Sequence, residues 1–181
     1  MMKTISTEKI YKGRVFELVK DIIELPDGNT AVREVVNHPG GACVLPVDDD
    51  GNVIFVRQYR HPLKTYTLEI PAGLLEPGEA PIVCAARELE EETGFTSDNI
   101  IPFTEIYATP GFCTEKIHIF FAAGLKPGKQ NFDADEFINT ERYPLEKALE
   151  MIYNGEIKDG KTIVAILGYS ANCSIKKEAI K

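Results

Sequence analysis

The chain has no tryptophan, and among its 181 residues are three methionines, three histidines and four cysteines. Cys43, Cys84, Cys113 and Cys173 lie far apart and form no C-x-x-C pair. That spacing speaks against a zinc ribbon or a dithiol redox site, and leaves reduced, mostly buried thiols as the expectation. No apolar run approaches the roughly 18–20 residues of a membrane span. Residues 1–12 mix charged and polar side chains and lack the apolar stretch of a signal peptide, so a cytoplasmic location is expected. Basic residues are in deficit, 20 Lys and Arg against 28 Asp and Glu, for a net charge of −8. That balance argues against a nucleic-acid or anionic-membrane surface. Internal repeats and low-complexity linkers are missing as well.

What is present is ordinary globular material, 44% hydrophobic and 27% charged, long enough to bury a real core. The first seventy residues read as strands. Arg14 to Leu25 and Thr30 to Asn37 flank an Asp27-Gly28 turn, and Ala42 to Val47 and Val53 to Tyr59 flank the cluster Asp48 to Asn52. Thr65 to Ile70, Ile100 to Tyr107, Lys116 to Ala123 and Phe137 to Tyr143 are further strand candidates. Three segments read as helices: Pro81 to Thr93, closed by Gly94; Leu145 to Asn154, closed by Gly155; and Lys161 to Ala171, with a cap at Asp159. Strands on both sides of a central helix, then helices at the end, predict an α+β sandwich with a mixed or antiparallel sheet.

The central helix is the informative segment. At about 100° per residue, Glu88 and Glu92 stand one turn apart on one face, with Glu91 beside them. Ile82, Ala86, Leu89 and Thr93 form the other face and are expected to pack on the sheet, turning the carboxylates toward a cleft. Like charges at these spacings cost a few tenths of a kcal/mol each. Arg87 reaches Glu91 at i,i+4, but one arginine does not neutralise four glutamates. Hard divalent cations such as Mg²⁺ do, because they favour carboxylate oxygens together with water and substrate phosphate. The Gly- and Pro-punctuated loop before the helix can fold back and offer a backbone carbonyl, that of Ala72, as a neutral ligand. A merely solvated acidic face accounts for glutamates. It does not account for seven fixed positions that coincide by chance on the order of 10⁻⁸ to 10⁻⁹ per start point.

Gly73, Glu79, Arg87, Glu88, Glu91, Glu92 and Gly94, with Leu89 and Phe95 at the bulky apolar places, fill G-x5-E-x7-R-E-U-x-E-E-x-G-U. This stretch resembles the signature of the Nudix hydrolases. The resemblance implies an α/β/α sandwich with a mixed central sheet, preceded here by an N-terminal antiparallel β region (1–40) and forming a catalytic domain over 41–181. It implies hydrolysis of a nucleoside diphosphate linked to another group, with Mg²⁺ (Mn²⁺ substituting) on the diphosphate and a water attacking one phosphorus. Glu88 and Glu92 are then the principal side-chain ligands, Glu91 a further ligand or base, and Ala72 a carbonyl ligand. Arg87 orients the carboxylates, Glu79 braces the loop, Gly73 allows close backbone approach and Gly94 stops the helix.

Outside the signature, Pro110 falls fifteen residues past Phe95 in a P-G-F setting, similar to the ADP-ribose pyrophosphatase branch. The runs Arg57-Gln-Tyr-Arg60 and Leu68-Glu-Ile-Pro-Ala-Gly73 resemble that branch too. The implied reaction is ADP-ribose, or a related ADP-sugar, going to AMP and ribose 5-phosphate. Alternatives are another nucleoside diphosphate sugar such as GDP-mannose, or a non-cleaving ligand sensor; the complete signature argues against the sensor. Arg60, Arg57 and Arg33 are candidate substrate contacts. Tyr11 and Phe16 are candidates to stack on a base, but core packing is the expectation for both. Glu136, near Asp133 and Asp135, best matches the branch's loop glutamate that activates water; Ala134 stands where some relatives carry another acid. The branch also implies a homodimer that exchanges its N-terminal strands, and residues 1–40 are β-rich enough to need a partner.

Overall fold

The computed structural model describes residues 2–131 and 138–172. Its backbone divides into two compact units. The first runs to Gly40 and adds Tyr107–Lys116; the second holds Gly41–Ile106 and the described residues from Ile117 onward.

The first unit is a sheet of β1 (Lys3–Lys12), β2 (Glu17–Glu24) and β3 (Thr30–Asn37), antiparallel in that order. Gly28, at φ 85°, makes the expected turn between β2 and β3, closed by Leu25 N–H donating to Asn29 O at 2.8 Å. The segment 107–116 attaches to β3: Val36 N–H donates to Phe112 O at 2.8 Å, and Thr114 N–H to Val36 O at 2.9 Å. The sequence predicts strands only from Arg14 onward, so β1 is an addition. Each of its ten residues is exposed, and a strand with neither face buried carries no alternation to read.

The second unit contains β4 (Gly41–Pro46), β5 (Asn52–Arg60), a 3-10 turn (His61–Leu63), β6 (Thr65–Glu69), β7 (Ala72–Leu74), α1 (Pro81–Thr93), β8 (Phe95–Thr96), β9 (Asn99–Tyr107), β10 (Lys116–Ala123), β11 (Lys126–Pro127), β12 (Ile138–Pro144), α2 (Leu145–Tyr153) and α3 (Gly160–Ala171). One sheet has the order β7-β4-β10-β9, with β4 parallel to β10 and antiparallel to β7. A second has the order β12-β5-β6, all antiparallel. The two faces of β4 and β10 serve different cores. Cys43, Leu45, Ile119 and Phe121 belong to the cluster that includes Ala148, Met151, Ala165 and Ile166 of α2 and α3. Ala42, Val44, Phe120 and Ala122 join Cys84, Ala85 and Leu89 of α1. Strand alternation thus produces helices on both faces of a mixed sheet, the sandwich the sequence implies.

Helix α1 begins with Pro in its first turn and ends at Gly94, φ 71°, whose N–H donates to Glu90 O. Its orientation corrects one expectation. The buried residues are Cys84, Ala85, Glu88, Leu89, Glu92 and Thr93, whereas Ile82 is exposed. The two glutamates therefore lie on the packed side, flanking Leu89, and do not face away from it. Helix α3 is capped as expected, with the Asp159 side chain accepting from Thr162 N–H. Among the described residues, no helix is long and apolar enough to cross a membrane. Glu136, Asp133, Asp135 and Cys173 lie outside the described residues.

Candidate active site

Burying carboxylates is costly unless each finds a partner, and the partners of α1 define the site. Arg87 gathers most of them. Its Nε donates to Glu79 Oε1 at 3.0 Å and its Nη2 to Glu79 Oε2 at 3.2 Å; its Nη1 donates to Glu88 Oε1 at 2.6 Å and to Glu91 Oε2 at 3.0 Å. The i,i+4 contact to Glu91 is the one expected from helix geometry. Nη2 also reaches Leu74 O at 3.3 Å and the buried Cys84 Sγ at 3.4 Å. Hydrogen bonding from Glu79 first, and then the charge of Glu88, hold the guanidinium firmly protonated. In return Arg87 lowers the Glu79 pKa. Glu79 closes the loop by accepting Glu76 N–H at 3.0 Å. Burial pushes the Cys84 thiol up to about 12, so it is no nucleophile near neutral pH.

Strand β7 meets the same carboxylates. Ala72 N–H donates to Glu92 Oε2 at 3.0 Å. A methyl group on Gly73 would come within 1.7 Å of Glu88 Oε1, so only glycine lets the Glu88 carboxylate lie against this strand. Glu88, Glu92 and the backbone of Ala72 and Gly73 are thus brought together. Among the described residues, no three His, Cys, Asp or Glu side chains stand together as a ready metal cage. Two carboxylates beside the backbone of an edge strand nonetheless suit Mg²⁺, which typically takes one or two carboxylates and completes its shell with water and phosphate. The donor chemistry therefore fits a hard divalent cation.

A second charged group lies beside the first. Arg60 Nε donates to Glu69 Oε1 at 2.7 Å and Nη2 to Glu69 Oε2 at 2.6 Å. Thr67 Oγ1 donates to Glu69 Oε1 at 2.6 Å, and Lys161 Nζ pairs with Oε2. Burial alone would raise the Glu69 pKa, but Arg60 and Lys161 outweigh it and hold the carboxyl at about 2. Glu69 in turn raises the Arg60 pKa, with Glu92 and Asp159 contributing through their charges. Arg60 therefore sits within the field of Glu92, with one edge of its guanidinium on Glu69. Arg57 instead grips Glu141 through Nε and through Nη2 at 3.1 Å, and Tyr143 Oη donates to the same carboxylate at 2.6 Å. Lys161 and Thr162 were not singled out by sequence reasoning, and Glu69 entered only within the run Leu68 to Gly73, with no role of its own. Glu69 and Lys161 are 92 residues apart, and no local pattern announces the pair.

Arg33 and Pro110 belong to the first unit. Arg33 is exposed and its Nη1 donates to Val32 O at 2.9 Å. It lines an open cleft of about 460 Å³ with Leu18, Val32, Val36, Gly111 and Phe112. Pro110 is exposed in a turn in which Phe112 and Cys113 N–H groups donate to Thr109 O. Tyr11 and Phe16 pack on one another with ring centroids 5.8 Å apart and stay largely exposed, so neither is a core residue.

A mixed sheet between helices, with an arginine-centred set of glutamates on one helix and glycine at the facing strand, defines a hydrolase fold of the Nudix type. The chain belongs to that family: the NUDIX domain model matches residues 37–164. The nucleoside diphosphate sugar hydrolase N-terminal domain matches residues 2–36. The chain is 45% identical over 166 residues to the ADP-ribose pyrophosphatase of Bacillus subtilis (strain 168), covering 91% of this chain and 90% of that protein. It is 43% identical, with the same coverage, to the methanol dehydrogenase activator of Bacillus methanolicus. A crystal structure of an ADP compounds hydrolase superposes with a TM-score of 0.85 at 23% identity, over 99% of this chain and 97% of that one, a likeness of fold.

Proposed function

We infer that this protein hydrolyses the pyrophosphate bond of ADP-ribose, or a closely related ADP-sugar, with a divalent metal, Mg²⁺ first and Mn²⁺ as substitute. The observation that carries the reading is the convergence of buried Glu88 and Glu92 on Ala72 and Gly73, with Arg87 holding Glu79, Glu88 and Glu91. The name and 45% identity of the Bacillus subtilis relative support ADP-ribose as substrate. Glu88 and Glu92 with Ala72 O would hold the ion, Glu91 serving as a further ligand or as a base, and the ion supplies neutralisation of charge developing on the diphosphate oxygens. Arg87 keeps the carboxylates aligned and limits their mutual repulsion. Arg60, with Arg57 and Arg33 as further candidates, offers guanidinium hydrogen bonds to phosphate, and Pro110 is a further candidate substrate contact on the family resemblance.

In the reaction, water oxygen bonds to one phosphorus while the bridging P–O bond breaks and its electron pair leaves with the other phosphate. Glu136 accepts the water proton, a role assigned on resemblance alone; Glu91 is the alternative acceptor. The exposed apolar residues of the first unit, Ile5, Ile10, Tyr11, Val15 and Phe16 among them, support a homodimer formed through this unit; exchange of its N-terminal strands is proposed on the family resemblance. The test is a product screen with Mg²⁺ over ADP-ribose, NADH, GDP-mannose, diadenosine polyphosphates and 8-oxo-dGTP. AMP and ribose 5-phosphate from ADP-ribose should rank among the fastest products. Faster release of GMP from GDP-mannose would replace the substrate while leaving the reaction class in place.

A further inference from the structure

Four consecutive residues leading into β7 are each held from a different direction. The Glu69 carboxylate takes Arg60, Thr67 and Lys161. Ile70 N–H donates to Thr162 Oγ1 at 2.9 Å. Pro71 O accepts Val44 N–H at 3.0 Å. Ala72 N–H donates to Glu92 Oε2 at 3.0 Å. Two of these anchors, Lys161 and Thr162, come from the first turn of α3. Thr162 is fully buried, and its hydroxyl donates to Asp159 Oδ2 at 2.5 Å. With its proton committed there, Thr162 Oγ1 faces Ile70 N–H as an acceptor. Asp159 also accepts Thr162 N–H at 3.0 Å and pairs with Lys161 at 3.0 Å. A helix cap requires only the backbone contact. The relay from Asp159 through the threonine hydroxyl to Ile70 goes beyond capping, and it ends two residues from Ala72.

We propose that the first turn of α3 positions the metal-holding end of β7: Thr162, oriented by Asp159, fixes Ile70 and so sets the direction of the Ala72 carbonyl and of the Ala72 N–H that orients Glu92. This rests on the reading that Ala72, Glu88 and Glu92 hold the divalent ion. Thr162 and Asp159 touch neither ion nor substrate; they act through the backbone. Thr162→Val keeps the shape and removes the acceptor, leaving a buried N–H that must turn to find another partner. Loss of a hydrogen bond that orients a metal ligand weakens metal binding by about 10- to 100-fold.

The experiment is a Mn²⁺ titration of the intact protein without substrate, read by electron paramagnetic resonance, with a thermal melt of every variant. Thr162→Val should weaken Mn²⁺ binding about tenfold, and Thr162→Ser should restore it. Ile166→Val, a truncation in the buried face of the same helix, should lower Tm and leave Mn²⁺ affinity unchanged. If Thr162→Val fails to fold, Asp159→Asn serves, since Asn caps as well as Asp but holds the hydroxyl less strongly; a smaller weakening is expected. Wild-type Mn²⁺ affinity in the folded Thr162 or Asp159 variant overturns the proposal, and so does an equal loss in Ile166→Val. Equal Mn²⁺ affinity in wild type and Glu92→Gln has a different meaning. It removes the metal reading, and the proposal with it.

Discussion

In the second unit, Phe55, Phe121, Leu45 and Ile54 are closed to solvent, and both apolar clusters are built from this unit's residues alone. In the first unit, Val19 and Ile23 are the buried apolar residues among those described, while Ile5, Ile10, Tyr11, Val15, Phe16 and Val32 are exposed. The contrast has a physical meaning. A close-packed interior gives a charged site fixed walls, so Glu88 and Glu92 can be buried on the helix and still be aimed. A three-stranded sheet with exposed apolar side chains has no such interior, and exposed apolar patches of this kind commonly mark interaction surfaces. Chemistry should therefore fail through single atoms in the second unit, and association through surface residues in the first.

The largest effect should come from Glu92→Gln. The amide keeps an oxygen for Ala72 N–H and removes the charge, so the fold should survive. The kcat should fall on the order of 10³-fold, as removal of several kcal/mol of charge stabilisation implies. Steady-state turnover alongside circular dichroism checks this, and near-normal turnover would end the metal-site reading. Gly73→Ala comes next. The added methyl would sit 1.7 Å from Glu88 Oε1 and must displace the carboxylate. A shift of about 1 Å at a reacting centre costs about 10²-fold, so kcat should fall by that order while Tm changes little.

These two residues mark what sequence could reveal. The signature helix, its Pro start and its Gly stop are short-range patterns, and the structure repeats them from Pro81 to Gly94. The helix face differs from the one periodicity predicts, which turns Glu88 and Glu92 away from the core toward a cleft and packs Ile82 on the sheet, whereas the two glutamates are buried and Ile82 is exposed. Periodicity ranks side chains by polarity, and a buried functional carboxylate inverts that ranking. The Glu69 group was illegible for another reason. Arg60 and Glu69 meet across a hairpin and Lys161 arrives from α3, so only the assembled fold brings them together.

That group allows a test by pH. The Glu69 carboxyl is held at about 2, below its ordinary 4.5. A depressed pKa contributes stability that is complete above about pH 4.5 and is lost as pH falls from there toward 2. The contribution is on the order of 2–3 kcal/mol. Urea midpoints at pH 6 and pH 3 should therefore separate strongly in the wild type and less in Glu69→Gln. Parallel loss in both proteins would assign the acid sensitivity to other carboxylates.

The smallest effect on the fold should come from the pair Ile5→Lys and Ile10→Lys. Both side chains are about half exposed in β1, and substitutions at such positions usually change stability by less than about 0.5 kcal/mol. Lysine on an exposed strand also opposes pairing with another chain. If the first unit's sheet is a dimer surface, the double variant should sediment as a monomer at micromolar concentration where the wild type sediments as a dimer, with the urea midpoint of the second unit unchanged. A wild type that is itself monomeric would overturn the dimer reading. A double variant that unfolds the second unit as well would show that the two units share one stability.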